Sequence, residues 1–349
     1  MSGRAPRGTK LPGLAGKRAE KAVSLALQGG GAHGAFTWGV LDALLDDGRL
    51  AIEAITGASA GAMNAVVMAE GFLEGGAEGA REHLEAFWRR ASLDGGLSAV
   101  QRSLLGHVLG QWTSAAWTDL LARSFSPYET NPLNINPLRD AIEELIDFER
   151  VRACTGLKLF ITATNVWTGK IAVFRGPDLT ADHLMASACL PTVFQAVEID
   201  GVPYWDGGYM GNPALFPLFY EAETDDVILV QINPLERRET PRTAQDIRNR
   251  LNEITFNGPL LNELRVVEFV SRLVEQGKLS RDEYKRVLMH RIDASGVLDD
   301  YEASSRLNAE WDFFLQLRDA GRETARAWLK AHYDEIGVAG TLDLRQALF

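Results

Sequence analysis

Two short apolar runs, each ending in a string of glycine and other small residues, constrain most strongly how this chain can fold. The first is VSLALQ, from Val23 to Gln28, followed by Gly29-Gly30-Gly31-Ala32-His33-Gly34. The second is IEAITG, from Ile52 to Gly57, which passes directly into Ala58-Ser59-Ala60-Gly61. Short apolar runs bounded by glycine read as buried strands. Between them Phe36, Val40, Leu41, Leu44 and Leu45 recur at helical spacing, with Gly48 as a C-terminal stop. Two adjacent parallel strands would bring both glycine turns to one edge of a sheet.

The residues Gly57-Ala58-Ser59-Ala60-Gly61 form a G-x-S-x-G box in which every neighbour of the serine is small. Such an elbow sets the serine on a tight strand-to-helix turn, where only small neighbours let the backbone bend and present the hydroxyl. A helix over 60–69 is expected next, its N-terminal dipole directed at charge that develops beside Ser59. The glycine run offers backbone N–H groups with no side chains in the way. A serine beside such donors is what acyl transfer requires. A dinucleotide site competes, because Gly29, Gly31 and Gly34 also satisfy G-x-G-x-x-G after a strand. That alternative needs an acidic residue near the end of the second strand, and Glu53 stands at its start. A Walker loop is excluded, since no Gly-Lys-Ser/Thr follows.

In four blocks the chain resembles the patatin-like phospholipase family, over roughly Ala22 to Pro234. Gly29-Gly30-Gly31-Ala32-His33-Gly34 is similar to the family's oxyanion loop, and Gly57-Ala58-Ser59-Ala60-Gly61 to its nucleophile elbow. Ala186-Ser187-Ala188-Cys189-Leu190-Pro191 is similar to its Ala-Ser-Ala-x-x-Pro block. Asp206-Gly207-Gly208 resembles the motif that carries the second catalytic residue. The order and spacing of all four make the match specific. The resemblance implies a three-layer α/β/α fold with a mostly parallel sheet. It implies a lipid acyl hydrolase with Ser59 and Asp206 as the catalytic pair. Gly57 and Gly61 would shape the elbow, and Gly29, Gly30, Gly31 and Gly34 the oxyanion hole. No cofactor and no metal are expected. His33 departs from the pattern, since the family often has Arg or Lys there; an ordinary imidazole gives no fixed cation above about pH 6.5.

Beyond the elbow, strands and helices alternate. Asn136-Pro137 opens a helix through Ile146, Leu157 to Val166 and Ile171 to Phe174 read as strands, and Thr180 to Ala188 as a helix. Glu198 to Trp205 reads as one strand delivering Asp206, and DVILVQIN, 226–233, as a buried one. This alternation implies a mostly parallel sheet covered on both faces. Residues 71–135 read as a helical insertion; Leu104, Leu105, Val108, Leu109 and Trp112 suit a lid or acyl-chain wall as well as ordinary packing. The catalytic domain is set at 22–234, and a mainly helical extension packed on it at 235–349. In that extension a polar Arg-rich segment runs to Gly258, a helical stripe from Leu260 to Gln276, an extra strand from Val287 to Ile292, and a long helix from Ser305 to Tyr333. Trp311, Phe314, Leu315, Trp328 and Leu329 are expected to pack that helix on the body; a homodimer face is the lesser alternative.

A net charge of −11 argues against nucleic acid as a partner and against strong whole-molecule attraction to anionic lipid. The expected partner is a lipid or acyl ester, met in transient contact with a membrane surface. Cys154 and Cys189 are too few for a disulfide framework and suit a reducing, cytoplasmic setting. Residues 1–21 are basic and rich in Gly and Pro, and read as a disordered tail. No stretch approaches the ~20 apolar residues of a membrane span.

The base is the hardest assignment. A histidine triad of another α/β esterase would draw its imidazole from after the acidic residue, where only His290 and His332 lie. His290 falls in an expected strand and His332 near a helix end. Asp206, flanked by glycines, could approach Ser59 directly, provided desolvation raises its pKa from about 3.9. A non-catalytic lipid-binding relative stays open beside the triad enzyme and the dinucleotide-dependent oxidoreductase.

Overall fold

The computed structural model describes residues 13–93, 126–298, 301, 305–306 and 308–348. Nine strands form one mixed sheet: β1 (Leu14–Ala15), β2 (Lys21–Leu27), β3 (Leu50–Gly57), β4 (Lys158–Asn165), β5 (Ile171–Arg175), β6 (Val197–Ile199), β7 (Val202–Asp206), β8 (Asp226–Gln231) and β9 (Leu288–Asp293). The order across the sheet is β6-β7-β4-β3-β2-β8-β9. The five strands from β4 to β9 in that order run parallel. The antiparallel pairings are β5 and β7 on β4, β6 on β7, and β1 on β3.

Alternate residues of the parallel strands feed two cores, as a two-residue side-chain period dictates. Leu25, Leu27, Ile228 and Val230 enter the larger core, while Ala26, Val227 and Leu229 enter the smaller one on the other face. The larger core is roofed by α1 (Gly34–Asp47) and α2 (Ala60–Ala91), with α3 (Pro137–Leu145) and α4 (Ala181–Ser187) beyond them. The smaller core is covered by α5 (Ala244–Glu275) through Leu260, Leu264 and Val267. The result is three layers, helix on sheet on helix.

Helix α1 is apolar nearly all round because it is covered twice, by the sheet and by α6 (Trp311–His332). Gly39 faces the Arg318 carbonyl and Gly321 the Phe36 carbonyl, so a methyl at either would drive the two helices apart. Asp42 of α1 lies at the centre of this contact, bonded to Arg81 of α2 at 3.0 Å and Arg322 of α6 at 2.6 Å. Burial raises its pKa, but the two guanidinium groups outweigh that and hold the carboxyl below its usual range.

Several local expectations change. Residues 13–21 are not a free tail: Leu14 is buried and Leu14–Ala15 pairs with β3, while residues 1–12 lie outside the described part. The helix expected over 60–69 runs on into the expected insertion as one element, α2, interrupted at Gly75 and Gly76, where φ of Gly76 is +67°. The rest of the expected insertion, 94–125, lies outside the described residues, the apolar positions singled out there included. The single strand expected over 198–205 is a hairpin, because Asp200 and Gly201 both adopt positive φ in a two-residue turn. Helix α5 starts at Ala244, well before the expected Leu260; Thr243 and Asp246 close a capping box there. The extra strand exists as β9, and Phe314, Trp328 and Leu329 of α6 are buried.

Candidate active site

Both glycine turns sit where β2 and β3 end side by side, Leu27 paired with Gly57. Ser59 follows at φ +51° and ψ −124°, a conformation that is strained for a residue with a side chain. Strain of this kind is held by its surroundings. Gly61 lies against the Leu27 carbonyl and Gly57 against the turn of α2, so neither position admits a Cβ. The Ser59 N–H donates to Ser187 Oγ at 3.0 Å, which ties the elbow to the Ala-Ser-Ala block on α4. A Cβ on Gly29 would lie 2.7 Å from Ser59 Cβ. The glycine loop and the serine are thus in direct contact.

Four side-chain amides fix that loop. Gln28 Oε1 accepts from the N–H groups of Ile232 and Asn233, each at 2.9 Å, and its Nε2 donates to Asn257 Oδ1 at 3.4 Å. Asn233 Nδ2 donates to the Gly29 carbonyl at 2.7 Å. Asn212 Oδ1 accepts from the Gly29 N–H at 2.7 Å. The Gly34 N–H is turned into the cap of a one-turn helix over Gly31–His33. Gly29 and Gly34, expected among the oxyanion donors, therefore spend their N–H groups inside the protein. The N–H groups of Gly30 and Gly31 have no hydrogen-bond partner among the described residues. Gly31 adopts φ +59°, which a side chain would resist.

Asp206 closes β7 and is fully buried. Its N–H donates to the Cys189 carbonyl at 2.8 Å, and its carbonyl accepts from Thr164 Oγ1 at 2.8 Å, so the backbone is clamped from two sides. Oδ1 accepts from the Gly208 N–H at 2.8 Å. Oδ2 has no full hydrogen bond. The Ser59 hydroxyl nonetheless lies near enough to favour the charged carboxylate. Phe256 of α5 presses its ring on Gly208 and meets Tyr209 edge-on at 5.0 Å, which seals the turn from water. Burial pushes the Asp206 pKa up to about 7; the Gly208 N–H and Ser59 only partly oppose it.

The histidines lie in other company. His290 is buried on β9, with Nε2 on Asp226 Oδ1 at 2.9 Å and Nδ1 on Thr341 Oγ1 at 3.1 Å. His332 is exposed beside Glu335. His183 contributes to the cap of α4 and packs on Phe174. His33 is buried against Ser305, and burial first, then Arg306 and Arg237, lowers its pKa to about 3. The glycine loop therefore carries no cation of its own. His107 lies outside the described residues. Cys189 is packed, its thiol pushed up to about 12 by burial.

Glu53, the acid a dinucleotide would need, sits at the opposite end of the sheet. It accepts from the N–H groups of Glu223 and Thr224 and from Lys158. Among the described residues one group, Glu70, Glu74 and His83, has a metal-like donor set. Arg150 Nη1 already bridges both glutamates at 2.7 and 2.9 Å and offsets part of their charge.

The patatin-like phospholipase family profile matches residues 25–220, more than half of the chain. The chain belongs to that family. Among solved structures the chain matches VipD from Legionella pneumophila at 16% identity and TM-score 0.33, covering 90% of this chain and 72% of that one. A comparable likeness, 16% identity and TM-score 0.33, links it to full-length ExoU solved with SpcU from the type III secretion system of Pseudomonas aeruginosa; 93% of this chain and 60% of that structure are covered. No curated protein matches.

The sequence pattern singles out Ser59, Asp206 and the loop glycines, but not Gln28, Asn212, Asn233, Asn257 or Phe256. The amides leave a faint signal: each of Gln28, Asn212 and Asn233 sits one to six residues beyond a strand end or the Asp-Gly-Gly turn. No helix of the described residues is long and apolar enough to cross a membrane.

Proposed function

We propose that the chain hydrolyses the carboxylic ester of a lipid acyl group, with Ser59 as nucleophile and Asp206 as its base. One observation carries this reading: the strained Ser59 lies against the glycine loop, with a buried carboxylate acting on its hydroxyl. Ser59 Oγ attacks the ester carbonyl while its proton passes to Asp206. The oxyanion of the tetrahedral intermediate faces the N–H groups of Gly30 and Gly31, with the N-terminus of α2 behind them. Collapse expels the alcohol, which takes the proton from Asp206. Water then attacks the acyl-serine and gives its proton to the same carboxylate, and collapse releases the acid as Ser59 Oγ takes that proton back from Asp206. A base with a pKa near 7 suits this work at neutral pH.

A histidine triad is the weaker reading, since His290 and His332 hold structural partners. The substrate would be met at a membrane surface from a reducing compartment, and no cofactor enters the scheme. A fluorescent fluorophosphonate tests the core of it: the folded wild type should label, and Ser59→Ala should not. A folded wild-type chain that stays unlabelled, or a Ser59→Ala chain that still labels, would sink the assignment.

A further inference from the structure

The loop that Asp206 opens, 206–214, is tied to the sheet by three buried threonine hydroxyls. On β4, Thr164 Oγ1 donates to the Asp206 carbonyl at 2.8 Å and Thr162 Oγ1 to the Gly211 carbonyl at 2.9 Å. On β3, Thr56 Oγ1 donates to the Ala214 carbonyl at 2.7 Å. Thr162 has a second partner. Its hydroxyl also reaches the Gly57 carbonyl at 3.2 Å, two residues before Ser59. One proton is thus shared between the elbow and the loop that follows Asp206, with the shorter contact to the loop. Thr162 is fully buried, and Gly207 lies so close against its carbonyl that a Cβ would not fit between them.

The same loop reaches the glycine turn. Asn212 Oδ1 accepts from the Gly29 N–H at 2.7 Å, and its Nδ2 donates to the Gly29 carbonyl at 3.4 Å. Asp206, Ser59 and the glycine turn sit at the ends of three different strands, β7, β3 and β2. In the sheet β4 stands between β7 and the other two, so no ladder bond sets Asp206 against the elbow. Thr162 spans that gap from β4. A β-branched side chain is stiff at χ1, so a buried threonine keeps its hydroxyl in one place. Accuracy of this kind matters, because a misplacement of ~1 Å between reacting groups costs on the order of 10² in rate.

We propose that Thr162 is a positioning residue: its shared hydroxyl holds the nucleophile elbow and the base loop in register, and Asn212 carries that register on to the oxyanion turn. The inference rests on the Ser59–Asp206 reading given above.

Thr162→Val keeps the shape of the side chain and removes the hydroxyl. On a soluble p-nitrophenyl ester kcat should fall at least ~10-fold with KM nearly unchanged, since groups used in the transition state are displaced and not the ground-state contacts. Thr162→Ser returns the hydroxyl and should recover most of the loss. Asn212→Ala should lower kcat in the same way. Thr224→Val is the control: it removes a threonine hydroxyl bonded to the Ala22 carbonyl at 2.9 Å, at the far end of the sheet, and should lower Tm without lowering kcat. A folded Thr162→Val with wild-type kcat, or a loss that Thr162→Ser does not recover, overturns the role of Thr162. A loss of kcat in Thr224→Val as large as in Thr162→Val overturns it too, because weakened stability alone would then account for both. Wild-type kcat in folded Asn212→Ala removes the link to the glycine turn. If Thr162→Val does not fold, Thr162→Ala takes its place; failure of both to fold makes the hydroxyl a structural tie and overturns the inference. Labelling by the fluorophosphonate separates this proposal from the reading beneath it. A wild type that does not label fells both, whereas a labelled wild type beside indifferent Thr162 variants fells this one alone.

Discussion

Glu53 and Asp206 are both buried carboxylates on strands of one sheet, yet the fold treats them in opposite ways. Glu53, the fourth residue of β3, receives two backbone N–H groups and the Lys158 ammonium. Burial pushes its pKa up, but those three donors outweigh burial and hold it below the ordinary value. Asp206, at the end of β7, receives one backbone N–H and no cation, beneath the ring of Phe256. Its pKa rises to about 7. The first carboxylate is an anchor and the second is kept in want of a proton. The difference lies in what the chain withholds, which is invisible in the residue type.

The sharpest way to break this comparison is to remove the proton acceptor. Asp206→Asn keeps the shape, and turnover on p-nitrophenyl esters should fall by ~10³ or more, as in Ser59→Ala. His290→Ala should stay within about tenfold of wild type once lost stability is corrected for. A live Asp206→Asn beside a dead His290→Ala would reverse the assignment of the base. Next in size, Gly31→Ala forces a side chain into φ +59° and against the Arg306 carbonyl. Loss of an oxyanion donor costs on the order of 10²–10³ in turnover; wild-type kinetics with an unchanged Tm would remove Gly31 from the oxyanion hole.

The pH dependence of the two carboxylates should run in opposite directions. Asp206 has a raised folded-state pKa, so its contribution to stability is complete below about 3.8 and is lost as pH rises through about 7. Turnover needs the ionised form and should rise across the same window. Asp206→Asn should therefore be more stable than wild type at pH 8, by up to a few kcal/mol, and gain nothing at pH 4. Denaturant unfolding at the two values decides it; equal gains at both would contradict the desolvated carboxylate. Glu53 has a lowered pKa, so its stabilisation is complete above about 4.5 and is lost as pH falls through the lower folded value. Glu53→Gln should cost about 1–3 kcal/mol at pH 7 and flatten the acid limb, with turnover nearly unchanged. A large loss of turnover from Glu53→Gln would mean that the two ends of the sheet are not independent.

The parts of the site that could be read from the chain are those built by consecutive residues. VSLALQ-GGG and AITG-ASAG carry strand, turn and the proposed nucleophile in unbroken stretches, and Asp206 is marked by its two glycines. Gln28 and Asn257 meet across 229 positions, and no local pattern announces a pairing of that kind. Burial raises the Asp206 pKa, and the residue packed on the adjacent Gly208 is Phe256, an aromatic in a stretch that reads as polar. There Ile247, Leu251 and Ile254 face solvent, so the usual inward stripe is absent and the start of α5 is obscured. Strand β1 is two residues long and has no periodicity to detect. The Asp200–Gly201 turn, by contrast, was available as a local hairpin signal and marks a missed boundary rather than an invisible one.

Strand β8 begins at Asp226, beyond the last residue of the family match, yet it lies between β2 and β9 in the sheet. The stretch of chain that is inherited as a family and the stretch that folds as a body are therefore different lengths. A gene cut at residue 220 would remove a middle plank and leave the edge of β2 open. It would also strip Phe256 from Asp206 and α6 from α1. What a search reports as a domain is here an incomplete object, and anyone grafting or trimming this enzyme would do better to count strands than matched residues.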